Sequence, residues 1–151
     1  MPVPSAPNRT LLLIEDDPDA VFLFRHAFAK VPETEAWELA HVQDGQEAMK
    51  FILERSPDAI VTDLIGIKIS GSQLISWIRG HQLLRNVPVF VFSNSERLVD
   101  RQACKEAGAD EYINKKAMPD ELRKTIGRLI SLANMVRLDK EAREARAALN
   151  G

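Results

Sequence analysis

The sequence has little of several features that indicate particular classes of protein. Its single cysteine, Cys104, excludes an internal disulfide and a cysteine-rich zinc site. Because 20 Lys and Arg residues stand against 22 Asp and Glu residues, the net charge of −2 provides no basic excess for nucleic acid. No apolar run approaches the roughly 20 residues of a membrane-spanning helix. We therefore expect a cytoplasmic protein that binds neither nucleic acid nor a membrane.

The composition favours one folded domain with short appendages. Hydrophobic residues make up 45% and charged residues 28% of the 151 positions, which is typical of a globular protein. Residues 1–9 carry three prolines and lack the apolar core of a signal peptide, so they are predicted to be a flexible leader. Residues 10–133 form the predicted domain. Residues 134–151 are predicted to form a charged helical extension, and no output domain is expected after it.

Short apolar runs alternate with segments of helical periodicity along the predicted domain. Each apolar run ends in polar or turn residues, which is typical of strands buried on both faces of a parallel sheet. Five strand–helix pairs in alternation predict an α/β fold: a doubly wound five-stranded parallel sheet with helices on both faces. The phenylalanines are interpreted as core residues, at Phe22, Phe24, Phe28, Phe90 and Phe92. The predicted strands are Leu11–Ile14, Ala36–Val42, Ala59–Thr62, Val87–Phe92 and Glu111–Asn114.

Polar side chains stand at the carboxyl ends of four predicted strands. Glu15 and Asp16 follow the first, Asp63 the third, Ser93 the fourth and Lys115 the fifth. A parallel sheet brings these ends to one edge, where a ligand is expected. Clustered acids repel one another, and Mg²⁺ is the expected cation because it prefers oxygen ligands. The set suits phosphoryl transfer, with Asp63 as the nucleophile.

The order and spacing of these motifs resemble the receiver domain of two-component response regulators, from about Thr10 to Ile130. This resemblance implies a flavodoxin-like fold of the receiver type. Each motif alone is weak, but five in the family's order are specific. They are Leu12–Asp19, Asp44–Ala48, Pro57–Asp63, Val87–Ser93 and Ala107–Lys115, with Gly71 between the third and fourth.

The resemblance implies a role for each residue of the acidic cluster. Asp63 matches the phosphoacceptor, and Glu15 and Asp16 match the acidic pair that holds Mg²⁺. Ile65 would lend only its backbone carbonyl to the metal. Asp17 lies one position beyond the acidic pair and is interpreted as a loop residue.

The resemblance also implies roles for the residues around the phosphoryl group. Ser93 matches the hydroxyl that binds it and draws in the following loop, and Lys115 matches the phosphate-binding lysine. Tyr112 matches the aromatic residue whose rotamer reshapes the output face. A half-buried tyrosine in a short strand needs no function, so a purely structural Tyr112 stays open.

Four positions depart from the family's pattern. Ile67 and Lys116 replace prolines, and Lys116 makes a trans peptide the expectation after Lys115. Asn94 replaces a small residue beside the hydroxyl position, and Ile65 replaces a more common polar residue. Altered dephosphorylation kinetics are the expected consequence.

The function implied is that of a single-domain response regulator. It would accept phosphate from a sensor histidine kinase, including one of phytochrome type, or from a phosphotransfer protein, and signal through a downstream protein target. It would catalyse its own phosphotransfer and slow dephosphorylation without being a metabolic enzyme. The alternatives are a binding module that ignores phosphate and a small Mg²⁺-dependent phosphohydrolase, although Ile65 occupies the place of that enzyme's second acid.

The charged extension leaves two interpretations open. Residues 137–149 are rich in strong helix formers and carry opposite charges at i,i+4 spacing, such as Arg137 with Glu141. The segment is either a frayed end of the last helix or a contact for a kinase or a second protomer. A homodimer therefore stays open.

Overall fold

The protein is described by a computed structural model that covers residues 9–150, and the first eight residues of the predicted leader lie outside it. Strands and helices alternate along these residues, with short 3₁₀ helices at Pro32–Thr34 and Gln82–Leu84. The strands are β1 (Arg9–Ile14), β2 (Trp37–Val42), β3 (Ala59–Thr62), β4 (Val89–Ser93) and β5 (Glu111–Asn114). The helices are α1 (Pro18–Ala29), α2 (Gly45–Glu54), α3 (Gly71–Gly80), α4 (Leu98–Ala107) and α5 (Pro119–Asn150).

The strands form one parallel sheet in the order β2-β1-β3-β4-β5. The chain moves outward from β1 to β2 and then returns past β1 to β3. The strand order therefore reverses between β1 and β3, where such sheets bind ligands beyond the carboxyl ends of their strands. The predicted doubly wound α/β fold is confirmed.

Alternate side chains of β1 belong to two separate cores, one on each face of the sheet. Leu11 and Leu13 pack in the core beneath α1 and α5, and Leu12 and Ile14 pack in the core beneath α2, α3 and α4. All four side chains are fully buried. Burial on both faces explains why the strand is a continuous apolar run instead of an alternating one.

Polar side chains fix where several helices begin and end. Asp44 accepts a hydrogen bond from the Glu47 amide at the start of α2, and Ser70 forms a capping box with Gln73 at the start of α3. Gly108 ends α4 with a φ of 115°, a left-handed conformation that glycine adopts without strain. These local interactions therefore set the starts of α2 and α3 and the end of α4.

The assignment of Phe22 to the core is wrong. Its side chain is 69% exposed, whereas Phe24, Phe28, Phe90 and Phe92 are buried as predicted. The buried face of α1 includes Ala20, Phe24 and Ala27, and Phe22 lies two residues from Ala20, on the opposite side of the helix. Phe22 instead stacks on His26 at the surface.

Helix α5 is continuous across the boundary between the predicted domain and its extension. Its buried residues end at Ala133, and the following residues are partly or fully exposed. Among the described residues, none of the helices is sufficiently long and apolar to span a membrane.

Candidate functional site

The polar residues predicted to meet at one edge of the sheet lie at the carboxyl ends of their strands. Glu15 and Asp63 directly follow β1 and β3, Ser93 is the last residue of β4, and Lys115 directly follows β5. Backbone bonds extend the sheet into the site, from the Asp63 amide to the Ile14 carbonyl and from the Lys115 amide to the Ser93 carbonyl. The sheet therefore fixes the backbone from which these side chains project.

Lys115 joins two carboxylates that lie far apart in sequence. Its Nζ donates to Oε1 of Glu15 at 2.9 Å and to Oδ2 of Asp63 at 3.0 Å. The Lys115 side chain is only 11% exposed, and both carboxylates are buried. The ion pairs are therefore largely shielded from water. Charge interactions in such a buried environment are stronger than at the surface.

Glu15 is held from both its backbone and its side chain. Its carbonyl oxygen lies 2.8 Å from Nε2 of His41, and its Oε1 accepts a hydrogen bond from the Asp17 amide at 3.1 Å. Burial raises the pKa of Glu15 to about 7, because the bond from Lys115 lowers this pKa by less than desolvation raises it. The negative charge of nearby Asp63 raises it further.

The pKa of Lys115 is set by two opposing effects. Burial disfavours the charged ammonium, but the hydrogen bonds to Glu15 and Asp63 outweigh it and raise the pKa above its ordinary value. Lys115 thus remains a cation throughout the neutral pH range. The positively charged Lys115 ammonium is therefore in direct contact with the Glu15 carboxyl, which can gain or lose a proton near neutral pH.

The carboxylates of Glu15, Asp16 and Asp63 suit a divalent cation. One oxygen from each lies within 4.8 Å of the others, and the Asp16 side chain is exposed. Oε2 of Glu15 is buried and accepts no hydrogen bond from residues 9–150, although Lys115 Nζ lies 2.8 Å away as an ion pair. Three hard oxygen donors with an open side fit Mg²⁺, which retains several waters. The donor set is therefore compatible with the predicted metal.

Asp17 lies beside this cluster but belongs to the helix that follows. Its Oδ1 accepts a hydrogen bond from the Asp19 amide, which caps the amino terminus of α1. This contact agrees with its interpretation as a loop residue.

The loop between β3 and α3 holds a residue that the sequence reasoning missed. Gly66 has a φ of 87°, and a β-carbon placed there would lie 2.6 Å from Oδ2 of Asp16. Glycine thus allows the backbone to approach the carboxylate closely. A glycine between Ile65 and Ile67, just after a strand that ends in an acid, was the available signal.

The two isoleucines of this loop lie in different environments. The Ile65 side chain is 67% exposed, whereas Ile67 is fully buried, and its carbonyl accepts a hydrogen bond from the Gly45 amide at 2.7 Å. Ile67 anchors the loop in the core at the position where the family pattern has proline. The isoleucine that replaces this proline is thus accommodated as a buried core residue.

Ser93 and Tyr112 are linked through Ser95, which the sequence reasoning also missed. Oγ of Ser93 accepts from the Ser95 amide at 3.2 Å, and the Tyr112 hydroxyl donates to the Ser95 carbonyl at 2.9 Å. The guanidinium of Arg101 lies 4.9 Å from the centre of the Tyr112 ring. Within residues 9–150, no hydrogen bond joins the Ser93 hydroxyl to Asp63 or Lys115. The Ser93 hydroxyl and the Tyr112 hydroxyl therefore both form hydrogen bonds with the backbone of Ser95, in the loop between β4 and α4.

The remaining departures from the family pattern are also placed by the structure. Asn94 is exposed beside Ser93. The peptide bonds of residues 9–150 are all trans, which confirms the expectation for the bond between Lys115 and Lys116. Lys116 itself is exposed, and its amide donates to the side chain of Asn114.

Comparison with known proteins identifies the same fold elsewhere. A family model described as the response regulator receiver domain matches residues 11–127. The transcriptional regulatory protein GltR of Pseudomonas aeruginosa is 27% identical over 134 residues, which are 89% of this chain and 54% of GltR. The chain therefore spans about half the length of that relative.

Two further similarities extend over most of the matched protein. The polar-differentiation response regulator DivK of Brucella ovis is 25% identical over 108 residues, covering 72% of this chain and 85% of DivK. The crystal structure of the phosphorylated cyanobacterial phytochrome response regulator RcpA is 27% identical, with a TM-score of 0.68. That comparison covers 78% of this chain and 88% of RcpA.

Proposed function

Because the chain belongs to the family of response regulator receiver domains, we propose that Asp63 accepts a phosphoryl group from a phosphohistidine donor. As a receiver domain, the chain serves phosphorelay signalling and is not a metabolic enzyme. The proposal depends chiefly on one observation: the Asp63 carboxylate lies in contact with Lys115 and beside the acids Glu15 and Asp16. A nucleophile, a fixed cation and a candidate site for a metal ion are thus combined at one edge of the sheet.

The transfer forms one bond and breaks another. A carboxylate oxygen of Asp63 attacks the phosphorus in line, the P–N bond of phosphohistidine breaks, and the released imidazole takes up a proton. The product is an acyl phosphate on Asp63. Lys115 holds positive charge at this carboxylate and can exchange its contact with Asp63 for one with a phosphoryl oxygen.

Glu15, Asp16 and Asp63 would hold Mg²⁺, with the backbone carbonyl of Ile65 as a further ligand. Their oxygens lie close together, and the buried Oε2 of Glu15 accepts no hydrogen bond from the described residues, with Lys115 Nζ beside it at 2.8 Å as an ion pair. When bound, the cation would neutralise negative charge on the phosphoryl oxygens. Glu15 must be deprotonated to act as a ligand.

Signal output would follow from the contacts of the β4–α4 loop. In the phosphorylated state, the Ser93 hydroxyl would donate to a phosphoryl oxygen and draw the loop toward Asp63. Tyr112 is bonded to the Ser95 carbonyl, so a displacement of this loop changes the environment of its ring. The surface formed by α4, β5 and the first part of α5 is the proposed output face, which a downstream protein target would bind.

The proposed phosphoryl donor is a sensor histidine kinase, including one of phytochrome type, or a phosphotransfer protein. The transfer would take place in the cytoplasm. RcpA is a phytochrome response regulator, and its similarity supports this type of kinase. Slow loss of phosphate from Asp63 would reset the switch. Exposed Asn94 and Ile65 flank the site and would alter the access of water to the acyl phosphate.

Intact-protein mass spectrometry after incubation with acetyl phosphate and Mg²⁺ tests the phosphoacceptor. We expect one added phosphoryl group, lost in Asp63→Asn and in EDTA. Asp120→Asn is a matched control, because Asp120 is an exposed aspartate at the start of α5 that pairs with Arg123. An adduct that persists in Asp63→Asn would overturn the assignment, and no adduct in any sample would favour a binding module that ignores phosphate.

A further inference from the structure

Helix α5 carries a second apolar face beyond its packing on the sheet. Its buried face ends at Ala133, and the apolar stripe begins immediately afterwards on nearly the opposite side. The stripe is spaced by three and four residues alternately, which is the pattern of heptad positions a and d. It consists of Met135, Leu138, Ala142, Ala145 and Leu149.

The stripe is accessible in the single chain. Met135, Leu138 and Leu149 are 65%, 62% and 85% exposed. The helix face that docks on the domain cannot turn to cover them, because Ile126, Ile130 and its other buried residues fix its rotation. An occupant of the stripe must therefore come from outside the chain's own core.

The charges beside the stripe favour a second copy of the same helix. Glu141 is at position g and Arg146 at position e. In a parallel, in-register pair, position g of one helix faces position e of the next heptad in the other. Glu141 of each copy then faces Arg146 of the other, which gives two attractive contacts. An antiparallel pair faces g with g and e with e, and both attractions are lost.

Charge pairs within each helix support the segment before it associates. Arg137 Nε lies 3.2 Å from Oε1 of Glu141, and Arg143 lies 2.7 Å from Asp139, each four residues apart. Such pairs each stabilise an exposed helix by a few tenths of a kcal/mol. The helix is thus preformed to some extent, which lowers the entropy cost of pairing.

We propose that residues 135–149 pair with a second copy of this chain as a parallel two-stranded coiled coil. The seam is short, and Ala142 and Ala145 fill two of its core positions, so the dimer is weak and depends on concentration. The small alanines let the helices approach closely at the middle of the seam. Pairing leaves the phosphoacceptor site free, since the seam lies beyond the last buried residue of α5.

The first test is the mass of the full chain by sedimentation equilibrium over a wide concentration range. We expect a monomer–dimer equilibrium whose dissociation constant rises at least tenfold in Leu138→Lys. Ala147→Lys adds the same charge on the far side of the helix and should leave the equilibrium unchanged, with equal helicity by circular dichroism. A monomer at every concentration, or equal weakening by both variants, would overturn the proposal.

The second test addresses orientation. Glu141→Arg and Arg146→Glu each place like charges across the seam and should weaken the dimer, whereas the double variant should recover it. In a Cys104→Ser background, Ala142→Cys should form an intermolecular disulfide, because equivalent a positions of a parallel pair face each other. Ala147→Cys is the matched control and should not. Absence of recovery together with absence of the Ala142→Cys disulfide contradicts a parallel pair.

Discussion

The Nζ atom of Lys115 lies 3.0 Å from Oδ2 of Asp63, a residue 52 positions earlier in the chain. The same ammonium also contacts Glu15, so one cation compensates two buried carboxylates. This arrangement stabilises the unphosphorylated site and places positive charge where phosphoryl oxygens would arrive. Stability and chemistry are therefore coupled through a single side chain.

Replacement of Lys115 should destabilise the protein in a pH-dependent way. Lys115→Gln leaves Glu15 and Asp63 buried without their cation, which should cost about 3–5 kcal/mol of unfolding free energy at pH 8 without metal. The loss should be smaller at pH 6, because Glu15 can then bind a proton. Urea unfolding measures both. Lys116→Gln, at an exposed position, should change stability by less than about 0.5 kcal/mol.

The raised pKa of Glu15 predicts a pH dependence of folding stability. Its pKa is about 7 in the folded protein against an ordinary value of 4.5, so its stabilising contribution is complete below pH 4.5 and is lost as pH rises through 7. Glu15→Gln resembles the protonated form. Without metal, it should be more stable than the wild type at pH 8 by about 1–3 kcal/mol, and equal to it near pH 5. A difference independent of pH would contradict this explanation.

Magnesium affinity should follow the opposite trend. Protons compete with the cation for Glu15, so the dissociation constant for Mg²⁺ should be about tenfold higher at pH 6 than at pH 8. Isothermal titration calorimetry with the wild-type chain measures this change. In Glu15→Gln, the affinity should be lower and nearly constant between these pH values. A constant affinity in the wild type would contradict this prediction, and an unchanged affinity in Glu15→Gln would show in addition that Glu15 is not a ligand.

Gly66 should be intolerant of a side chain. A β-carbon would lie 2.6 Å from Oδ2 of Asp16 on a backbone with φ of 87°, so Gly66→Ala should displace the carboxylate and weaken Mg²⁺ binding several-fold. It should also cost about 1–2 kcal/mol of stability. Gly127→Ala is the control: it lies within α5 with open space around it, and should stabilise by about 0.5–1 kcal/mol. Unaltered Mg²⁺ affinity in Gly66→Ala would show that Mg²⁺ binding does not require the close approach of the Gly66 backbone to the Asp16 carboxylate.

Tyr112→Phe should separate the hydroxyl contact from the packing of the ring. Loss of the bond to the Ser95 carbonyl should cost about 1 kcal/mol, while the ring remains beneath Arg101. If Tyr112 acts as a switch, phosphorylation should produce smaller amide shift changes in α4 of this variant than in the wild type. Equal shift changes would support the purely structural interpretation of Tyr112.

The sequence was sufficient to predict the fold because its signals are local and repeated. The strands β1, β3 and β4 are apolar runs that end in or are followed by a polar residue, and Asp44, Ser70 and Gly108 mark helix ends directly. The convergence of Glu15, Asp63 and Lys115 follows from parallel topology, which brings the ends of non-adjacent segments together.

Features that depend on tertiary contact were not predictable in the same way. An exposed phenylalanine at position 22 cannot be recognised from its residue type, because only the rotation of α1 on the sheet decides which face is buried. Gly66 is one of seven glycines in the sequence, and its contact with Asp16 becomes visible only when the fold places that carboxylate beside it. The link from Ser95 to Tyr112 joins residues 17 positions apart whose side-chain types carry no shared pattern.

The length of α5 beyond its anchorage gives it the properties of a lever. It begins four residues after Lys115, and its last buried residue is Ala133, so its remaining 17 residues extend about 26 Å beyond that anchored part. A tilt of about 10° at the anchored part would displace the far end by roughly 4 Å over this length. A small adjustment near the Lys115 loop is thereby amplified into a motion large enough to change which helices can meet at the tip.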